Sequence, residues 1–225
     1  MKKILFFLFA LCAFSLSAQN DLTNAANLKH YAEKNAKETK TGSVLFIGNS
    51  ITDAWPYKSP EFFKSNNYIG RGISGQTSPQ LLLRFRQDVL DLSPIAVVIN
   101  IGTNDIALNT GEYVPEFTLS CIKSMAELAD YHGIKVILTS VLPVGTYGWR
   151  PEVKDVPQKI DALNASIKAF AESKGFDYLD YNTPMRQADG SMKKELADDG
   201  VHPNDAGYAV MEKLVKAKID KVIKK

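Results

Sequence analysis

Two patterns of hydrophobic and polar residues alternate along the chain. Short runs that are almost entirely apolar predict strands covered on both faces. These runs fall at 43–47, 68–69, 95–101, 134–139 and 176–180. Longer segments repeat apolar residues at the spacing of amphipathic helices. They lie near 78–91, 114–131, 156–174 and 205–222, and a polar Lys/Glu/Ala-rich stretch at 22–40 predicts a surface helix. Strand–helix alternation of this kind indicates one α/β domain with a parallel, doubly wound sheet.

The first eighteen residues have the order of a secretory signal peptide. Lys2 and Lys3 precede an apolar run over 4–13, and small residues follow it up to Ala18. The run is too short to span a bilayer as a stable helix, so we expect export to the periplasm or the cell exterior and no membrane insertion of the mature chain. The remaining chain divides into a helical segment at 19–42 and a single domain at 43–225.

Removal of the signal peptide changes the charge and the cysteine count. The whole chain has 27 Lys and Arg against 25 Asp and Glu, and two of those lysines lie in the leader. The mature chain is therefore neutral, which predicts no nucleic-acid partner and leaves the oligomeric state open. Cys12 lies in the leader, so Cys121 has no disulfide partner and is expected to be a buried apolar residue. A lipid-modified Cys12 is disfavoured because Leu11 is larger than the usual preceding residue.

Polar and glycine-rich clusters follow the first three strands, and a fourth lies near the C-terminus. They are 48–53, 70–77, 102–105 and 198–204. Such residues are common in turns and helix caps, but in a parallel sheet the ligand crevice lies beyond the carboxyl ends of the strands. Together the four clusters offer a nucleophile, a base and hydrogen-bond donors.

The last cluster holds the histidine best suited to act as a base. Asp199 precedes His202 by three residues on a glycine-containing segment, and Pro203 biases His202 away from helical geometry. Such a segment can bring the carboxylate to Nδ1 and leave Nε2 free to accept a proton. Ser50 follows a buried strand at a glycine turn, which directs its hydroxyl toward the crevice.

Four short motifs in these clusters resemble the four blocks of the SGNH (GDSL-like) hydrolases. They are Gly48-Asn49-Ser50-Ile51-Thr52, Gly72-Ile73-Ser74-Gly75-Gln76-Thr77, Gly102-Thr103-Asn104-Asp105 and Asp199-Gly200-Val201-His202-Pro203. The blocks occur in the family's order and span roughly residues 44–210. In the letters GDSL of the family's name, Asp precedes the serine, whereas this chain has Asn49 at that position. The position does not belong to the family's catalytic triad.

The resemblance implies a flavodoxin-like, three-layer α/β/α fold with about five parallel strands. It also implies hydrolysis of carboxylic esters without a metal or cofactor. Ser50 would be the nucleophile, with His202 and Asp199 as its partners. The oxyanion hole would combine the Ser50 and Gly75 N–H groups with the Asn104 amide, and Gly72 remains an alternative to Gly75.

Three other functions compete with this interpretation. Gly70-x-Gly72-x-x-Gly75 matches the dinucleotide-binding pattern, although it follows the second strand and lacks a suitable acid after the next one. A metallohydrolase could use Asn49, Asp53, Asn104, Asp105 and His202, without any recognised metal-binding spacing. A non-catalytic, exported carbohydrate-binding protein could share the same scaffold.

Candidate substrate contacts lie in the segment that follows the fourth strand. Tyr147 and Trp149 could stack on a sugar ring, and Arg150 could bind a hydroxyl or carboxylate, with help from Trp55 and Tyr57. These aromatic residues could equally cover the edge of the core. The mature chain has no long apolar lid, which disfavours bulk lipid as substrate. We therefore expect a small ester or acylated carbohydrate, with removal of acetyl groups; lysophospholipid or general short-chain ester hydrolysis is the alternative.

Overall fold

Five parallel strands form a single sheet in the computed structural model, which describes residues 23–224. The strands are β1 (Val44–Gly48), β2 (Tyr68–Gly72), β3 (Ala96–Asn100), β4 (Lys135–Thr139) and β5 (Asp177–Leu179). Their spatial order is β2-β1-β3-β4-β5. The chain therefore first winds outward from β1 to β2 and then crosses back over β1 to β3. This order is that of flavodoxin-like folds.

Besides helical residues at 23–26, the described part of the chain has nine helices. They are α1 (Lys29–Ala36), α2 (Ser50–Lys58), α3 (Pro60–Ser65), α4 (Ser78–Asp88), α5 (Thr103–Ile106), α6 (Pro115–Tyr131), α7 (Val156–Lys174), α8 (Asn182–Met185) and α9 (Asp205–Lys224). Short 3-10 turns occur at Leu90–Leu92 and Lys194–Leu196.

The sheet separates two hydrophobic clusters. Along β1, Leu45 and Ile47 point into a cluster shared with α4, α6 and α7. Val44 and Phe46 point the other way, into a cluster shared with α2, α3 and α9. Successive strand side chains face opposite sides, so a strand covered on both sides must be apolar at every position. The three-layer α/β/α fold with five parallel strands is as predicted.

The predicted elements are present, with changes at two of the helices and with four short helices that were not predicted, α2, α3, α5 and α8. The helix expected over 22–40 is reduced to α1 and a helical turn before it, because Asn27 takes a left-handed φ of +52°. The helix expected over 78–91 ends at Asp88 and passes into a 3-10 turn. The sequence pattern predicted no element between the first two strands, yet α2 and α3 lie there. Helix α2 was missed because it contains Pro56, and a proline ordinarily interrupts a helix.

The predicted signal peptide and Cys12 lie outside the described residues. Cys121 is buried as expected, and burial raises the pKa of its thiol. No helix within residues 23–224 is both long enough and apolar enough to cross a membrane.

Candidate active site

Ser50 is the first residue of α2 and follows directly after β1. The Asn49 side chain caps this helix by accepting a hydrogen bond from the Ile51 N–H at 3.2 Å. Asn and Asp side chains cap helices about equally well, so the cap is kept although Asn49 is an amide where the family's name has an acid. Within residues 23–224, the Ser50 N–H has no hydrogen-bond acceptor. The serine therefore combines a side-chain hydroxyl with a free backbone donor at the positive end of a helix.

Asp199 and His202 are joined by the loop that precedes α9. The Asp199 Oδ2 lies 2.7 Å from His202 Nδ1, and Oδ1 accepts the backbone N–H groups of His202 at 2.7 Å and Val201 at 2.9 Å. These three hydrogen bonds hold the Asp199 carboxylate in place, and the carboxylate in turn orients the His202 imidazole ring. The side chains are partly exposed, with 41% of His202 and 53% of Asp199 accessible, so they can meet a substrate from solvent.

The environment of Asp199 keeps its carboxylate ionised. Partial burial favours the neutral acid, but the hydrogen bonds from the His202 ring and from the two N–H groups outweigh it and lower the pKa of Asp199. A lowered pKa in the folded state means that these contacts stabilise the fold above the ordinary carboxyl pKa. This stabilisation is lost as the pH falls through the lowered value. Asp199 is therefore a permanent anion at neutral pH.

The two halves of the site meet between Ser50 and His202. Ser50 Oγ lies 2.9 Å from His202 Nε2, although 152 residues separate them in sequence. A serine hydroxyl, an imidazole and a carboxylate are thus connected in series by hydrogen bonds. Such a series can move the serine proton onto Nε2 while the carboxylate holds Nδ1–H, which is the requirement for a serine nucleophile.

Gly75 and Gly72 occupy different environments. Gly75 has a φ of +79°, and a side chain added there would meet open space. Its N–H has no acceptor within residues 23–224. Gly72 lies in β2, where an added Cβ would collide with the Asp53 backbone nitrogen. Gly72 is thus needed for close packing of β2 on α2, whereas Gly75 offers a free donor.

Asn104 lies in α5, the short helix that follows β3. It is 3% exposed, and its Nδ2 donates to the Gln76 carbonyl at 3.0 Å. An amide nitrogen carries two N–H groups, so this bond leaves one available to a ligand. Because Gln76 is next to Gly75, the bond also ties the third sequence block to the second.

The loop after β4 places only part of the predicted substrate contacts at the surface. The Trp149 ring is 44% exposed and lies beside the His202 ring, with centroids 6.3 Å apart and planes at 28°. Arg150 is partly exposed and lies 3.6 Å from Glu152. Tyr147 corrects the prediction, because it is fully buried and its hydroxyl is 2.9 Å from Thr103 Oγ1. Its ring packs against Trp149, with centroids 5.2 Å apart.

The two aromatic residues suggested as substrate contacts in the first loop differ in exposure. Trp55 is a core residue of α2 at 2% exposure, so the suggestion that it contacts substrate is wrong. Its Nε1 donates to Glu212. Tyr57 is 76% exposed and lines a cavity of about 310 Å³ along β2, together with Tyr31, Lys34 and Phe63.

Asn109 is a residue that the sequence motifs did not identify. Its Nδ2 donates to the Gly75 carbonyl at 3.1 Å, and its Oδ1 accepts the Trp149 indole N–H at 3.1 Å. One side chain therefore links the Gly75 turn to the aromatic ring beside His202. Asn109 lies in the loop after the third sequence block, but this position was only a weak indication of a role at the site, because asparagine is common in turns.

The residues considered for other chemistry have structural partners. Asp53 accepts hydrogen bonds from Ser74, and buried Asp105 accepts them from Ser78 and Thr118. His, Cys, Asp and Glu side chains in the described part of the chain form no cluster of three or more that could hold a metal ion. Gly70 and Gly72 lie inside β2, and not in a loop leading to a helix as the dinucleotide pattern requires.

Comparison with known proteins finds a matching family and a similar solved structure. The sequence profile described as "GDSL-like Lipase/Acylhydrolase family" matches residues 46–210. A GDSL-like lipase from Bacteroides thetaiotaomicron is 51% identical, with a TM-score of 0.86, and the match covers 88% of this chain and 98% of that one.

Two acetylxylan esterases are more distant. The enzyme from Xylanibacter ruminicola is 24% identical over 211 residues, which cover 78% of this chain. The match spans only 42% of that longer protein. The acetylxylan esterase of Geobacillus stearothermophilus, with a TM-score of 0.64 and 20% identity over 80% of this chain and 96% of that one, shares the fold.

Proposed function

Because the chain belongs to the GDSL-like lipase/acylhydrolase family and is a carboxylic ester hydrolase, we propose that it removes short acyl groups, above all acetyl groups, from carbohydrates. Ser50, His202 and Asp199 are the catalytic residues of this proposal. The observation that carries it is the continuous series of contacts from Ser50 Oγ to His202 Nε2 at 2.9 Å and from Nδ1 to Asp199 at 2.7 Å. Export through the signal peptide at 1–18 is part of the same proposal.

The first half of the reaction forms an acyl-enzyme. His202 Nε2 takes the proton of Ser50 as Oγ attacks the ester carbonyl carbon, and the carbonyl π electrons move onto oxygen. Asp199 holds the ring and stabilises the imidazolium. When the tetrahedral intermediate collapses, the bond to the leaving oxygen breaks, and His202 returns its proton to that oxygen. The alcohol, a sugar hydroxyl in this proposal, departs.

The second half returns the enzyme to its starting state. His202 Nε2 removes a proton from water as the water oxygen attacks the acyl-enzyme carbonyl. Collapse of the second intermediate breaks the bond to Ser50 Oγ, which regains a proton from His202. The products are a carboxylic acid and the free serine. Each proton that leaves an oxygen passes through the same ring nitrogen.

Three donors are available for the negative oxygen of both intermediates. They are the free N–H groups of Ser50 and Gly75 and the second N–H of the Asn104 amide. The left-handed φ of Gly75 supports its assignment over Gly72, which packs against Asp53. Donors of this kind act on charge that develops in the transition state, and so they accelerate the chemical step more than they tighten substrate binding.

The proposed carbohydrate preference rests on the surface around the triad. Trp149 offers an exposed aromatic face beside His202, and aromatic rings bind the apolar faces of sugars. Arg150 directly follows Trp149 and is partly exposed, so it adds hydrogen-bond donors to the same loop. Two of the proteins similar in sequence or fold are acetylxylan esterases.

Ester specificity is tested with two sets of substrates. Nitrophenyl esters of increasing acyl length should show kcat/KM falling from acetate to longer chains, and acetylated xylan or xylooligosaccharides should release acetate. Trp149→Ala should raise KM for the acetylated oligosaccharide more than for nitrophenyl acetate. A preference for long acyl chains, or for lysophospholipid over acetylated sugar, would reject the deacetylase proposal in favour of a general acylhydrolase.

Asn104→Ala is expected to lower kcat by about 10²- to 10³-fold, the usual cost of losing one oxyanion donor. KM for nitrophenyl acetate should change little, because the lost contact forms mainly in the transition state. The measurement is steady-state kinetics, with Asn66→Ala as a control outside the proposed hole, since the Asn66 amide donates to the Phe62 carbonyl at 2.8 Å. An unchanged kcat in Asn104→Ala would remove this residue from the mechanism.

A further inference from the structure

Arg84 is a fully buried cation on the inner face of α4. Its side chain is 0% exposed, and burial lowers the pKa of its guanidinium, an effect countered by the hydrogen bond and charge of Asp88. Removing a charge from water is unfavourable, and a buried charge is tolerated only where it is well hydrogen-bonded. Arg84 meets this condition. Its guanidinium forms hydrogen bonds to other groups in addition to the ion pair with Asp88.

Four acceptors surround the guanidinium. Arg84 Nη1 donates to Asp88 Oδ2 at 2.8 Å and to the Arg71 carbonyl at 3.0 Å. Nη2 donates to the Gly48 carbonyl at 3.0 Å, and Nε donates to Gln76 Oε1 at 2.6 Å. The planar guanidinium presents its donors in fixed directions, so it sets the relative positions of the groups that it binds.

Three of these acceptors belong to the segments that carry the proposed oxyanion donors. Gly48 ends β1 two residues before Ser50. Arg71 lies at the end of β2, just before the turn that contains Gly75. Gln76 directly follows Gly75. A single side chain beneath the site therefore bonds to both strand ends and to the turn between β2 and α4.

Gln76 extends this contact to the third donor. Its side chain accepts Arg84 Nε and donates to the Ala26 carbonyl at 3.1 Å, while its own carbonyl accepts the Asn104 amide at 3.0 Å. Gln76 is only 4% exposed, so these bonds are protected from water. Gln76 thus connects both Gly75 and Asn104 to Arg84.

We propose that Arg84, acting through Gln76, is a positioning residue for the oxyanion hole. It touches neither the substrate nor the reacting atoms. It holds the N–H groups of Ser50 and Gly75 and the amide of Asn104 in the arrangement that the negative oxygen requires. This inference rests on the proposed function. A displacement of about 1 Å in such donors can cost roughly 10²-fold in rate, so a buried anchor has a large effect on catalysis.

The test compares three variants of the full chain. Arg84→Met keeps an unbranched side chain but removes every donor, and Gln76→Met removes the link while leaving the pair of Arg84 and Asp88. The control is Arg86→Met, which alters an arginine on the same helix that is 64% exposed and 4.0 Å from Asp91. Unfolding transitions followed by circular dichroism give the folded fraction, and kcat is expressed per folded molecule.

Arg84→Met and Gln76→Met should each lower kcat by about 10- to 100-fold relative to Arg86→Met, with KM for nitrophenyl acetate changed less than about threefold. An alkylboronic acid, which forms a tetrahedral adduct with a serine, should lose affinity in proportion to the fall in kcat/KM. A purely structural role would lower the unfolding midpoint but leave kcat per folded molecule and the affinity for the boronic acid unchanged.

The outcomes separate this inference from the proposed function. If wild-type protein has no esterase activity, or if Ser50→Ala retains it, the proposed function fails. If wild type is active and Ser50→Ala inactive, but both methionine variants match Arg86→Met in kcat, the positioning role is overturned. Failure of both variants to fold would also overturn it, by assigning Arg84 to folding.

Discussion

Replacing Ser50 with alanine is expected to reduce kcat for nitrophenyl acetate by roughly 10⁴- to 10⁶-fold, the range observed when a triad member is removed from serine hydrolases. The substitution removes the atom that forms the acyl-enzyme. It leaves the helix cap intact, because that cap is supplied by Asn49. Steady-state kinetics and a thermal unfolding curve measure the two effects separately.

Ser166→Ala is the matched control for this variant. Ser166 is an exposed helical serine on α7 whose hydroxyl donates only to the Ala162 carbonyl at 3.0 Å. It should retain wild-type kinetics. A serine-reactive phosphonate should label wild type and Ser166→Ala but not Ser50→Ala. Full activity in a folded Ser50→Ala protein would contradict the proposed mechanism.

Asp199→Asn is expected to lower kcat by about 10⁴-fold with little change in the fold. An amide N–H facing His202 Nδ1 would favour the tautomer that carries its proton on Nε2, and that nitrogen could no longer accept the proton of Ser50. The variant would also lose the negative charge that stabilises the imidazolium. The measurement is kcat across a range of pH, together with the unfolding midpoint.

The neighbouring carboxylate supplies the control for this prediction. Asp198 accepts a hydrogen bond from Asn204 at 3.0 Å and belongs to the same exposed loop. Asp198→Asn should therefore retain nearly full activity. If both variants had similar kcat values, Asp199 would be one of several loop anchors, and the assignment of a triad would be wrong.

The layered fold could be predicted because burial on both faces leaves a direct trace in the sequence. β1 and β3 are apolar at nearly every position, and the helices that cover them show the spacing of one buried side. The connection between β1 and β2 was not predicted. Its two short helices contain or begin with proline, and their packing depends on Trp55 and Phe63 meeting Phe46 across the sheet face.

The residues proposed for the candidate site could be named from the sequence. Ser50, Asp199, His202, Gly75 and Asn104 occur in short motifs whose order resembles one family. The structure brings Ser50, His202 and Asp199 into one series of contacts, and it ties the turn holding Gly75 to Asn104. Tyr147 shows the limit of this approach, because an aromatic residue in a loop has the same sequence signal whether it faces a ligand or the core.

By itself, the sequence determined the order of the five strands and the long helices, the family and the candidate residues with the right chemistry, since these depend on residue type and local spacing. Only the tertiary structure decided how those residues are held. Arg84 and Asp88 form an i, i+4 pair that would ordinarily suit an exposed helix surface, yet both are buried beneath the site. Asn109 joins Gly75 to Trp149 across 34 and 40 residues. Contacts of this length depend on which surfaces fold together, and local sequence patterns carry no record of that.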